Sequence, residues 1–376
     1  MDISRRLFLK ALATAPAINS CLTSSAAAVT PVIAGAIRWD AWYSDTGPAR
    51  AAQNTLGYPP WQSRAPWFAK LDGPNHLTAV GTQADMDQEC RIAAAAGLKY
   101  WAFDMYAPTS PMSVAWRLYQ ASPNRHLVNW CGIVGPGFLG SDPFRRADLW
   151  QAKDNARVAY FAQANYQKVQ GDRPLLYILW SQEQLASYFA GTDQNFAASV
   201  AYLRARCRAA GVGDPYIVIM AGWAATSARI MREVGADAIS NYIPVLGSPP
   251  VGKVPWHVLD SRVQAFWASQ AAQGVECIPI ATTGWDTRAL RAHPNPGPSE
   301  FPHGMPEGYF VLPTDAQLRA EIQAAVAFVR AHPQTCRSNA LLIYSWDECS
   351  EGGNPLIPTL GRPPGKSLME AIARSL

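Results

Sequence analysis

Residues 341–353 read LLIYSWDECSEGG, an apolar run that breaks into Asp347, Glu348 and Glu351 with a tryptophan and two glycines close by. Glu348 and Glu351 are the residues whose types and spacing could do chemistry. A spacing of three places both carboxyls on one side if the chain enters a helical turn there. Two carboxyls held together in a partly dry cleft do not ionise independently. Their pKa values separate, so one serves as acid and the other as base. Cleavage of a glycosidic bond needs that division of roles. Glu-x-x-Glu is common on solvated helices, so the weight comes from its place at the end of a buried strand.

Comparable residues close the other apolar runs. The first ends in Trp39, Asp40, Trp42 and Tyr43, and the second in Asp104 and Tyr106. The third passes Asn129 and Trp130, the fourth ends at Trp180, and the fifth runs into Trp223. The sixth offers Asn241 and Tyr242, the seventh Trp285 and Asp286, and the last Trp346 and Asp347 beside the glutamates. A pyranose ring has an apolar C–H face that stacks on indole or phenol and hydroxyls that need charged or amide partners. The expected sugar-binding set is therefore Trp39, Asp40, Trp42, Tyr43, Asp104, Tyr106, Trp180, Asn241, Tyr242, Trp285, Asp286, Trp346 and Asp347, with Glu348 and Glu351 catalytic.

Such residues need a scaffold that brings strand ends to one face. Short apolar runs fall near 33–39, 98–104, 127–134, 175–180, 215–221, 237–243, 276–282 and 340–346. Stretches with helical spacing lie between several of them, among them QADMDQECRIAAAAG, NFAASVAYLRARCRAAG and DAQLRAEIQAAVAFVRA. Thr314 to Gln317 has the form of a capping box, and Gly97 and Gly211 stand where helices should stop. Eight strands, each followed by a helix, predict an α/β fold: a single (β/α)8 TIM barrel over residues 32–376, whose active site lies where strands pass into their following loops. The Pro-rich run 293–313 reads as a long loop after the seventh strand. A doubly wound open sheet would bring a Gly-rich phosphate loop after the first strand, and AIRWDAWYSD has none.

Hydrophobic residues make up 49% of the chain and charged ones 16%, which argues for a large core and against disorder or a coiled coil. The formal charge of +4 includes Arg5, Arg6 and Lys10, so the remainder is near neutral and nucleic acid is not an expected partner. Residues 4–10, SRRLFLK, precede a weakly apolar stretch ending in SSAAA, which reads as a twin-arginine export signal over residues 1–28. A periplasmic or secreted location follows, with lipidation at Cys21 as a weaker variant. No later stretch is long and apolar enough to span a bilayer. The six remaining cysteines form no CxxC pair and the six histidines lack metal spacing, so neither a metal nor another cofactor is expected.

The segment WDECSEGGNPLIPT resembles the W-N-E-W-x-E-G…L-x-P segment of glycoside hydrolase family 99, the endo-acting α-mannosidases and mannanases, and of related proteins encoded in O-antigen clusters. GWDTRALR, residues 284–291, is similar to that group's W-D-N-T-x-R stretch. The resemblance implies retention of configuration through attack of the substrate's own 2-hydroxyl. It casts Glu348 as the carboxylate assisting that hydroxyl, Glu351 as the acid and later base, and Trp285 with Asp286 as sugar-holding residues. The sequence departs from the pattern at Asp347 for Asn, Cys349 for an aromatic or His, and Ile357 where an acid is common, which leaves the sugar open. Three functions follow: an exported endo-acting glycoside hydrolase on a polysaccharide or glycan, a sugar-transferring or polysaccharide-modifying enzyme on the same barrel, and a non-catalytic glycan-binding protein.

Overall fold

The expected apolar runs all become strands. The computed structural model describes residues 30–139, 156–243, 249–293 and 307–373. Nine strands form one parallel path: β1 (Ile33–Arg38), β2 (Tyr100–Asp104), β3 (Asn129–Val134), β4 (Arg173–Leu179), β5 (Tyr216–Met220), β6 (Ala238–Ser240), β7 (Glu276–Cys277), β8 (Ile280–Thr282) and β9 (Ala340–Tyr344). Their order is β7-β6-β5-β4-β3-β2-β1-β9-β8, a curled sheet of the TIM-barrel-like kind. Lys168–Val169 hangs antiparallel off β4.

The expected seventh strand, 276–282, is split. Its first half, β7, pairs with β6, and Ile278 N–H extends that ladder to Ile239 O. Its second half, β8, pairs with β9, and Pro279 O accepts from Leu342 N–H. Pro279 has no N–H to give, so the ladder changes partner there. One stretch of chain therefore supplies both ends of the sheet path.

The strands are apolar on both faces, as a parallel sheet covered by helices requires. β5 and β9 are buried along their whole length. Side chains fill the inside of the curl: Tyr100 and Tyr177 meet at 2.8 Å between their hydroxyls. Gly35 on β1 leaves room for that packing, since a Cβ there would fall 2.1 Å from the Tyr100 ring. Helices between the strands carry the expected start signals. Thr314 and Gln317 form a reciprocal capping box on helix Asp315–Ala331, and Thr82 and Asp85 form another on Gln83–Ala95.

Several features lie beyond the expected alternation. A hairpin, Lys70–Gly73 with His76–Thr78, is inserted between β1 and β2. Most of the expected long loop, residues 294–306, lies outside the described residues, as does the expected export signal, residues 1–28. Where the chain is described again, Tyr309–Phe310 pairs in parallel with Lys253–Val254. No helix among the described residues is long and apolar enough to cross a membrane.

Candidate active site

After β9 the chain makes one turn of helical type, in which Gly352 N–H donates to Glu348 O at 3.1 Å, and no helix follows directly. That turn brings Glu348 and Glu351 into one pocket of about 430 Å³. The pocket is also lined by Trp39 after β1, Asp104 and Tyr106 at the end of β2, Trp180 after β4, and Asn241 and Tyr242 after β6. Leu179, Met220, Gly222 and Ile243 complete the wall. Acids and phenols thus come from β9, β2 and β6. The apolar lining comes mainly from β4 and β5.

Each carboxyl has a distinct setting. The Tyr242 hydroxyl donates to Glu348 Oε1 at 2.6 Å, and Glu348 is buried, with its own N–H donating to Ser345 Oγ at 3.1 Å. Burial, and then the nearby Glu348 and Asp104 charges, push the Tyr242 phenol well above its usual pKa, so it keeps its proton and serves as a donor. Glu351 is half-buried, and the Tyr344 hydroxyl approaches its Oε2 at a longer 3.4 Å. Tyr106 donates to Asp104 Oδ2 at 3.0 Å and accepts from Trp39 Nε1 at 2.7 Å. Burial and then the Asp104 charge raise the Tyr106 pKa, which keeps that phenol protonated as well. Asn241 spends its side chain on its own loop, donating to Ile243 O at 2.7 Å and accepting from Tyr242 N–H.

Seven residues of the expected set do not line the pocket. Asp40, Trp42, Tyr43, Trp346 and Asp347 lie in the core beneath it, gathered round the buried guanidinium of Arg38. Arg38 Nε pairs with Asp40 at 2.7 Å and Nη1 with Glu89 at 2.6 Å, and Asp347 stands 3.9 Å away. Tyr43 and Trp346 Nε1 both donate to Glu89, and Trp42 Nε1 donates to Asp347 O. Asp347 Oδ1 accepts from Trp39 N–H at 2.8 Å, which fixes the end of β1 to the turn carrying Glu348. Three carboxyls share one cation here. Burial and the Asp40 charge push the Asp347 carboxyl well above its usual range. Burial beside Asp40 therefore favours the neutral form of this carboxyl.

Asp286 and Trp285 sit behind the wall. Asp286 is buried between two guanidiniums: Arg64 bonds both its carboxylate and its carbonyl, and Arg288 bonds the carboxylate at 2.7 and 2.8 Å. Burial alone would raise its pKa, but these cations hold it below the usual value. Gly353 makes the clamp possible, since a Cβ there would lie 2.6 Å from Arg64 Nη1. Trp285 is buried with its ring 5.8 Å from that of Tyr344, so it backs the residue that reaches Glu351.

Among the residues that strand-end reading did not select, Glu89 and Arg64 matter most. Both are buried charges, and each is brought to its partners by tertiary folding across a long span of sequence. Arg38, one residue before Trp39 on a strand of apolar residues, was the legible signal of a buried ionic cluster.

No protein-family model and no curated protein sequence matches the chain. Similarity is found among solved structures. The endo-alpha-mannosidase of glycoside hydrolase family 99 from Bacteroides thetaiotaomicron superposes with a TM-score of 0.51, at 10% identity, over 91% of this chain and 95% of that one. A second structure of an enzyme with the same description, in complex with Bis-Tris-propane, gives a TM-score of 0.50 at 11% identity, over 87% and 86% of the two chains. At these identities the likeness is one of fold, that of a glycoside hydrolase-like barrel.

Proposed function

We propose that this protein is an exported glycoside hydrolase that cleaves a polysaccharide or glycan internally, with Glu348 and Glu351 as its working carboxyls. The observation that carries the reading is that both glutamates line one pocket with unlike partners. A phenol that keeps its proton and donates to Glu348 favours the ionised form of that carboxyl, which suits a base. Glu351, half-exposed and more loosely bonded to Tyr344, suits the proton donor. In the route implied by the family resemblance, Glu348 takes the proton of the substrate's 2-hydroxyl as that oxygen bonds the anomeric carbon. Glu351 protonates the departing glycosidic oxygen. A water, deprotonated by Glu351, then attacks the anomeric carbon as its bond to the 2-oxygen breaks and Glu348 returns its proton to that oxygen, giving net retention. The split strand is read as the seventh stave of a closed (β/α)8 barrel. Three carboxyls and no Lys, Arg or His line the pocket among the described residues, which favours an uncharged sugar over a uronic or sulfated one.

The test is incubation with α-mannan, xyloglucan, dextran and a polyuronate, following release of reducing ends. Cleavage of a neutral polymer is expected. Glu351→Gln and Glu348→Gln should each lose about 10²–10⁴ in rate. A glycosyl fluoride of the cleaved sugar should restore turnover to Glu351→Gln but not to Glu348→Gln, because only the first lacks help for leaving-group departure. Full activity of both variants would refute the catalytic assignment. Export rests on Arg5 and Arg6, and replacing both by lysine should retain the protein in the cytoplasm.

A further inference from the structure

The apolar side of the pocket continues outward. Leu179 and Trp180 at the end of β4, then Met220 and Gly222 at the end of β5, line the same pocket as the acids of β9 and β2. The next residue is Trp223, and its side chain is 61% exposed. It is the sole exposed tryptophan among the described residues, the others being buried or half-buried. Its backbone N–H is bonded to Ala221 O at 3.1 Å, and it serves as the extended residue that opens helix Ala224–Val234. Its position on the loop is thus fixed while its ring is left in water. Exposing an indole forgoes the burial that usually stabilises this side chain, so its presence beside a pocket wall calls for an occupant.

We propose that Trp223 is the platform of an outer sugar-binding subsite, stacking a ring of the same uncharged glycan whose neighbouring residue occupies the pocket. The occupant follows from continuity. A sugar in the pocket that turns its hydroxyl edge to Glu348, Glu351 and Asp104 turns its other side to the Leu179 to Gly222 wall, and Trp223, exposed and next in sequence to Gly222, follows directly on that wall. A pyranose C–H face on an indole is the contact such a ring makes well. The subsite rests on the glycan reading of the pocket but not on its catalysis, since it requires binding alone.

The experiment measures binding in the absence of turnover. Glu351→Gln is run through native gels containing α-mannan, xyloglucan or dextran, beside Glu351→Gln/Trp223→Ala and Glu351→Gln/Trp223→Phe. For the polymer that retards the parent, the alanine variant should bind about tenfold more weakly, and phenylalanine should recover most of the loss. Binding of the constituent monosaccharide in the pocket should be unchanged by either. Peptide mass mapping after N-bromosuccinimide treatment should show Trp223 oxidised in the free protein and protected by the polymer. Equal polymer affinity for parent and Trp223→Ala would overturn the subsite, as would an equal loss for polymer and monosaccharide. Retardation weakened by Trp223→Ala in a protein that cleaves nothing would uphold the subsite and refute the hydrolase. Retardation by none of the polymers would overturn both.

Discussion

Asp347 stands next to Glu348 yet points the other way, into the Arg38 cluster, and its environment makes a testable claim about its proton. Its charged neighbours are Arg38, Asp40 and Glu89, all buried, so one cation faces three carboxyls. The folded pKa of Asp347 is raised, above all by burial. In the unfolded chain an aspartate titrates near pH 4. The native state therefore holds a proton that the unfolded state releases as pH rises from about 4 toward the raised value, and stability falls over that window. Asp347→Asn keeps the oxygen that accepts from Trp39 N–H and an N–H donor in place of the O–H, while removing the titration. Its melting temperature relative to the parent should be several degrees more favourable at pH 8 than at pH 5. Asp347→Ala loses the Trp39 contact and should be less stable at both. An Asn variant with a pH-independent deficit would show that Asp347 is ionised. That Glu348 and Glu351 would lie together at the mouth was legible because acids that directly follow a buried strand emerge where it leaves the core. Trp42, Tyr43 and Trp346 were misplaced because aromatic type does not reveal whether a loop side chain turns toward the mouth or back beneath it. Glu89, 257 positions away in the sequence, gives Trp346 its inward partner.

At the level of elements, the clamp between Arg64 and Asp286 holds the segment after β1 against the turn after β8. Asp286→Asn would leave Arg64 buried beside a neutral amide. Removing one partner of a buried pair costs about 3–5 kcal/mol, and Arg288 offers no compensation because it is a second cation. Urea unfolding should show that loss at pH 7. The sign with pH is opposite to that of Asp347: the Asp286 pKa is lowered in the fold, so its contribution is present above about pH 4 and disappears as pH falls through the native value. Parent and variant stabilities should therefore converge in acid, and a constant gap would refute the pairing. The strands and the helix caps were legible because period, length and Thr-x-x-Gln spacing are local. The clamp was not, since Arg64 and Asp286 lie 222 positions apart. The split at Pro279 lay within one apolar run, and only the change of pairing partner reveals it.

For the whole molecule, the decisive feature is that β9, near the end of the chain, lies between β1 and β8. Without β9, β1 and β8 would each lose a ladder, and the strand that carries Glu348 on its following turn would be gone. A chain of this length often unfolds through intermediates. Here the pairing opposes that, because the stretch Glu276–Thr282 is bonded to β6 on one side and β9 on the other, so neither half of the sheet keeps its neighbours once the other opens. Far-UV and near-UV circular dichroism and tryptophan fluorescence should then report one coincident thermal transition, with the aromatic rings of β2, β3 and β9 loosening together. Ending the chain at Ser338 should abolish the near-UV signal and the cooperative transition rather than merely lower the melting temperature. A protein so shortened that still melted sharply would mean that β1 and β8 find another partner, and that the sheet's connection through β9 is dispensable for stability while remaining necessary for placing the two glutamates.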